Sequence, residues 1–238
     1  MSFKLTQTRL GILFAAILLA FCVWQNPGMV IDNRLSAAEI DAAVRYVDQN
    51  LPFDPADKAM VLNSLRAWGE ADDGQPVYML NLMRYFERMH TLPGAAKLDG
   101  TPRQNNAHYE DQAMALLLKA GGYALYAGNV QGPNILEHRA GMDHWSRVLL
   151  VRYTSRRAFL KLLTDPAYAP IEPYKMLSLE LILAPTTSEL IIPDLRFVLG
   201  AVLLAVFLLC GWLRARRQGA WQQQSAQQRV AARASKLA

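Results

Sequence analysis

The residues most able to do chemistry are few and sit in apolar surroundings. Asn81 is a polar amide inside the apolar run MLNLM (79–83), and a buried amide must find hydrogen-bond partners. It is the first candidate for binding a substrate or ligand oxygen; the bland alternative is capping a neighbouring strand. His108 and Tyr109 stand together where a helix is expected. The histidine could act as a general base near neutral pH or simply be exposed, and the tyrosine could meet a ligand or only fill a core. Trp145 carries the same two readings. Arg84 and Arg152 fall at strand ends, where pairing with Glu87 or Glu180 competes with anion binding. Glu137, His138, Asp143 and His144 cluster around Gly141, but H-x5-H across a glycine loop is not a metal-binding spacing, so no metal is expected. Asp165 and Tyr168 are expected to shape a turn. No nucleophile elbow, phosphate loop or dinucleotide fingerprint occurs, and no cofactor is expected.

Charge and cysteine content narrow the classes. The chain has 238 residues, 52% of them hydrophobic, and a formal charge of +5. That charge belongs to the ends. Residues 1–9 hold Lys4 and Arg9, residues 214–238 hold six bases, and neither segment holds an acid. Between them 17 bases face 20 acids, about −3 overall, so the middle has no basic stripe for nucleic acid. The two cysteines, Cys22 and Cys210, each lie in or beside an apolar run and form no metal or redox motif.

Two apolar runs frame the chain. Residues 10–24 (LGILFAAILLAFCVW) follow a basic start, and the poor cleavage flanks Trp24, Gln25, Asn26 and Pro27 favour an uncleaved anchor over a signal peptide. Within 195–213, the stretch FVLGAVLLAVFLLCGWL is followed by Arg214, Arg216 and Arg217, a basic stop that predicts a transmembrane helix. Basic outer flanks place both termini in the cytoplasm, with a loose basic tail over 214–238. The segment between the runs is then extracytoplasmic, and periplasmic where the cell has an outer membrane. The expected location is the inner membrane, with the lipid bilayer as a partner.

The intervening elements must position the candidates. Residues 28–72 form a helical extension. Ser36 and Glu39 make a capping box, and Ile40, Val44, Val47 and Leu51 repeat at helical spacing, predicting an amphipathic helix over 37–50. Asp54 and Pro55 start a second one that ends near Gly69. Residues 73–186 then read as a domain. Strands are predicted over 76–85, 123–130, 145–153 and 177–184, with helices over 108–120 and 155–163 and a turn-rich loop over 88–107. The order β-α-β-β-α-β is that of a ferredoxin-like α+β fold.

Within 76–184 the chain resembles a functionally unassigned group of small bacterial domains in the dimeric α/β-barrel superfamily. The resemblance rests on NLMRY (81–85), Tyr109, GGY-ALYAG (121–128), Trp145, VLLVRYTSRRAFL (148–160) and DPAY (165–168). The sequence departs from that group at Thr154, where proline is usual, and at Ser146, where an acid is common. The resemblance implies a homodimer in which each sheet keeps its helices on one face and turns the other into a barrel lumen. Leu177, Leu179, Leu181 and Leu183 would face the helices; Ser178, Glu180, Ile182 and Asn81 would face the lumen. The superfamily includes cofactor-free monooxygenases, haem-degrading enzymes, a lactone isomerase and ligand-binding domains, so the fold alone selects no activity. The expectation is a small, largely apolar ligand held by Asn81, Arg84, Tyr109 and Trp145. The alternatives are a cofactor-free monooxygenase or isomerase using Asn81, His108, Tyr109 or Trp145, and a structural module of a membrane complex.

Overall fold

The chain is described by a computed structural model covering residues 7–92, 95, 97–133, 135, 143–187 and 195–234. Glu137, His138 and Gly141 of the His/acid cluster, and Pro93 and Gly94 of the 88–107 loop, lie outside the described residues. Two units are distinguished, Met1–Ser188 and Glu189–Ala238.

In the first unit, an apolar helix α1 (Gln7–Gln25) and a short 3-10 turn (Pro27–Met29) precede two helices that start where their caps require. Ser36 and Glu39 exchange both bonds of the capping box to open α2 (Ala37–Asn50), and Asp54 accepts from Ala56 N to open α3 (Pro55–Glu70). The sheet comprises β1 (Val77–Tyr85), β2 (Gly122–Asn129), β3 (Arg147–Tyr153) and β4 (Leu179–Thr186). Its order is β2-β3-β1-β4 with every pairing antiparallel. With α4 (Pro102–Lys119) between β1 and β2, and α5 (Arg156–Leu163) between β3 and β4, this is the ferredoxin-like topology.

Alternation along β1 sorts the side chains. Val77, Met79, Asn81 and Met83 are buried on one face, opposite Tyr153, Val151, Leu149 and Arg147 of β3. That face meets the helices. Met79, Val151, Tyr109, Ala113, Leu117, Phe159 and Val47 form one core cluster. The other face carries Leu80, Leu82, Val148 and Leu150, all half-buried, and an exposed Ile182.

Four expectations need correction. First, Asn81 does not face away from the helices; it shares their face with Leu149 and Leu183. One-residue parity decides this: Met79 and Met83 are the buried neighbours, and Asn81 lies between them. Leu179 and Leu181 do face the helices, as expected of them. Second, the segment 88–107 is not loop throughout. Thr101 and Gln104 form a capping box with Pro102 in the first turn, so α4 begins six residues before His108. Asn105 and Asn106, which look like turn residues, are buried in that helix, with Asn105 donating to Asp99 O and Thr101 O. Third, residues 172–176 are not a plain connection but a short helix, α6 (Glu172–Met176). Fourth, Arg152 pairs with neither Glu87 nor Glu180. It is buried between the rings of Tyr78 and Tyr123 and donates to Tyr78 Oη and the Gln25 carbonyl.

The helical extension is fastened to the domain by two consecutive arginines. Arg157 donates to Glu39 (2.8 Å), to Arg34 O (2.7 Å) and to the Asn33 carbonyl (3.1 Å). Arg156 lies over Trp68 and pairs with the buried Asp72 carboxylate at 3.5 Å. Trp68 in turn packs edge-on against Phe159, which meets Tyr153 the same way.

In the second unit, α7 (Leu195–Ala234) is a 40-residue helix whose described side chains between 198 and 213, among them Val202, Leu203, Phe207 and Leu208, are exposed and apolar. Among the described residues, no helix is long and apolar enough to cross a membrane, so the structure gives no support to the transmembrane helices expected over 10–24 and 195–213.

Candidate functional site

Between the helix-facing side of the sheet and the helices lies a cavity of about 840 Å³. Its floor is Met79, Asn81, Leu149 and Val151, with Leu181 and Leu183 toward the β4 edge. Its roof is built from Tyr109, Ala113 and Leu117 of α4, Phe159 and Leu162 of α5, Leu65 of α3 and the polar side of α6. A volume of this size suits a small organic ligand, and apolar walls with few convergent polar groups are what such sites present.

The polar groups gather on α6 and the residues facing it. Lys175 is buried, and its Nζ donates to Asn81 Oδ1 at 2.9 Å. Asn81 is held by its amide hydrogens, which donate to Met79 O (3.2 Å) and Leu149 O (3.4 Å), so its oxygen is fixed toward the lysine. The ammonium also lies 5.2 Å from the centre of the Tyr109 ring. Burial lowers the Lys175 pKa to about 8, with Glu110 and Glu172 acting in the opposite sense.

Glu172 occupies the same helix one turn earlier. Its carboxyl is buried, lines the cavity, and has an Oε2 with no hydrogen-bond partner in the protein. Burial pushes its pKa up to about 8, against the pull of Lys175. Two tyrosines complete the group. Tyr109 Oη and Tyr168 Oη are 3.2 Å apart, with their rings edge-on. Burial raises the Tyr109 hydroxyl to about 12 and pushes Tyr168 well above its ordinary value. Both are neutral hydrogen-bonding groups at physiological pH.

Beside this group Glu110 accepts from Arg147 Nε at 2.8 Å and Nη2 at 2.7 Å, a bidentate pair joining α4 to β3. Asn106 Nδ2 adds a third bond to the same carboxylate at 2.9 Å.

Of the residues singled out in the sequence, Asn81 and Tyr109 come together on this cavity. Arg84 and Trp145 do not; they meet on the opposite side of the sheet. There the guanidinium lies 5.3 Å from the Trp145 ring, and its Nε donates to Glu180 at 2.9 Å. His108 is exposed, bonded to Gln112 and packed at a tilt against the Tyr174 ring. His144 is exposed with a left-handed backbone, and no group of three or more metal-binding side chains occurs among the described residues. Asp165 shapes its turn by accepting from Ala167 N (3.0 Å) and Lys119 (2.7 Å), whereas Tyr168 reaches the site.

Sequence reasoning missed Glu172, Lys175, Glu110 and Arg147. The signal for the first two was the segment EPYK (172–175). An acid followed by proline, then a lysine three residues on, fits a helical first turn that puts acid and base on one side.

No family profile matches the chain, and no curated protein matches it. Among solved structures it is similar to a protein of unknown function from Rhodopseudomonas palustris, with 21% identity and a TM-score of 0.46 over 60% of this chain and 99% of that one. It is also similar to SnoaB, a cofactor-independent oxygenase from Streptomyces nogalater, at 14% identity and a TM-score of 0.33, covering 50% of this chain and 99% of that one. A hydroxynitrile lyase from Passiflora edulis matches at 11% identity with a TM-score of 0.34, over 50% and 98% of the two chains. The strand order, rather than these distant likenesses, establishes the ferredoxin-like α+β fold of the first unit.

Proposed function

We propose that the protein binds a small, largely apolar molecule in the cavity between the sheet and its helices. The observation that carries this is the cavity itself, about 840 Å³ with mainly apolar walls and Asn81, Lys175 and Glu172 at one place on its lining. Its natural setting is a membrane-anchored homodimer. Although no helix among the described residues is long and apolar enough to cross a membrane, the exposed apolar surface of α1 and α7 and the bases that flank both runs support an anchor, with both termini cytoplasmic and the domain extracytoplasmic in the proposed topology. Support for the dimer is the half-buried face of Leu80, Leu82, Val148 and Leu150, which a second copy would cover.

A second reading is a cofactor-free enzyme of the isomerase or monooxygenase type. The buried acid and amine on one short helix favour it, because such pairs are poised for proton transfer near neutral pH. In either reading Asn81 and Tyr109 line the pocket, and Arg84 and Trp145 belong to the opposite side of the sheet.

Native mass spectrometry of the detergent-released full chain tests the binding reading. A dimer carrying extra mass that is lost in Leu149→Trp, which fills the cavity, is the expected result. A bare chain that also fails to take up the uncharged fluorophore 1-aminoanthracene would sink it and leave a scaffold role.

A further inference from the structure

Resting on that cavity reading, we propose that the site takes carbonyl compounds with an acidic α C–H and moves that proton, with Glu172 as the acceptor and Lys175 as the donor to the carbonyl oxygen. The geometry points to this chemistry in three ways. Glu172 Oε2 is buried on the cavity lining and has no partner in the protein, although nearly all buried carboxyl oxygens have one. Lys175 uses one of its three N–H groups on Asn81 Oδ1, which leaves donors for a ligand oxygen. The two residues lie three apart on α6, so one ligand can meet both.

The step balances without any co-reactant. Glu172 carboxylate takes the proton from the carbon next to the carbonyl. The C–H electron pair becomes the new C=C bond, and the carbonyl π pair moves onto oxygen, where the Lys175 ammonium stabilises it. Return of the proton from Glu172 to the same carbon gives exchange; return to a conjugated carbon gives an isomer. Asn81 is a positioning residue, because its amide is anchored to Met79 O and Leu149 O and aims the lysine.

The charged and titratable groups lining the cavity with the pair are Tyr109 and Glu110 from α4, Tyr153 and Arg147 from β3, Tyr168 from the turn after α5, and, exposed to solvent, Asp54, Asp57, His90 and Glu180. Glu110 is already engaged by Arg147, and the three tyrosines are held neutral by burial. Glu110 and the tyrosines therefore do not compete as the acceptor.

The test uses the purified full chain and 2-tetralone, a compact apolar ketone. Deuterium uptake at its α carbon in D₂O is followed by proton NMR. Displacement of 1-aminoanthracene measures occupancy of the cavity separately. The expected result is protein-dependent exchange with a bell-shaped pH profile centred near 8, reduced about a hundredfold in Glu172→Gln while displacement is retained. Glu172→Asp should recover part of the rate. Displacement without exchange, or exchange unchanged in Glu172→Gln, overturns the proton-transfer assignment and leaves the cavity reading standing. Uptake of 1-aminoanthracene that 2-tetralone does not displace overturns the carbonyl assignment alone. Failure of 1-aminoanthracene to bind a chain that native mass spectrometry shows to be bare removes both readings.

Discussion

Lys175 Nζ donates to Asn81 Oδ1 at 2.9 Å, linking a five-residue helix to the middle of an inner sheet strand 94 residues away in the chain. Each explains the other. A buried amide needs partners, and a buried ammonium needs an acceptor; in an apolar cavity neither can turn to water. The same bond fixes α6, and with it Glu172, against the sheet.

Replacing Asn81 with Ala should therefore do two things at once. It leaves the lysine without its acceptor, at a cost of about 1–3 kcal/mol in unfolding free energy, and frees α6 from the sheet. Urea denaturation measures the first effect and 1-aminoanthracene affinity the second. Wild-type values in both would mean that the bond organises nothing.

The buried pair gives stability an unusual pH dependence. The folded pKa of Glu172 is raised, so the folded chain holds a proton that the unfolded chain releases, and stability falls as pH rises from about 4.5 to about 8. The folded pKa of Lys175 is lowered, so between about 8 and 10.5 the unfolded chain binds the extra proton and stability rises again. These two groups thus contribute a minimum near pH 8. Compared with Glu172→Gln, the wild type should lose Tm steadily from pH 5 to 8; a constant difference would contradict the raised acid.

Arg157 and Glu39 fasten the helical extension. The Arg157 hydrogen bond, then the Ser36 backbone, hold the Glu39 carboxyl down at about 2. Its contribution is complete above the ordinary value of 4.5 and fades as pH falls toward 2. The pair is partly exposed, so Glu39→Gln should cost no more than about 1 kcal/mol. Arg157→Ala also strips the carbonyls of Asn33 and Arg34 of their donor and should cost more, with faster proteolysis before α2. Equal effects of the two changes would show that the carbonyl bonds contribute nothing.

Gly122 packs where no side chain fits. A Cβ there would lie 2.4 Å from Leu117 Cδ1 and 2.9 Å from Tyr153 Cδ1, at the junction of α4 and the sheet. Gly122→Ala should destabilise by about 1–3 kcal/mol through overpacking, read as a lower Tm. An unchanged Tm would require the α4–sheet contact to be looser than it stands.

The proposed membrane anchor makes its own prediction. Under the proposed topology, alkaline phosphatase fused after Ala238 should be inactive and a fluorescent protein there should be bright, because a basic flank would hold that terminus in the cytoplasm. The reverse pattern would overturn the topology. Recovery of the whole chain in the soluble fraction after an alkaline wash would overturn anchoring.

Much of the fold was legible in the chain because its signals are local. Ser36 with Glu39 and Asp54 with Pro55 start helices through bonds made within three residues, and Ser155 caps α5 the same way. Strand periodicity identified β1 to β4, and their order with two helices named the topology. Asn81 stood out because a polar residue in an apolar strand is anomalous wherever the strand lies. What the sequence could not decide was the face to which it points. That depends on the register of β1 against β3 and β4 and on which side the helices pack, both set by contacts 68 to 102 residues distant. The same tertiary step brought Lys175 and Glu172, ordinary residues of a short polar segment, into an apolar cavity where burial changes their chemistry.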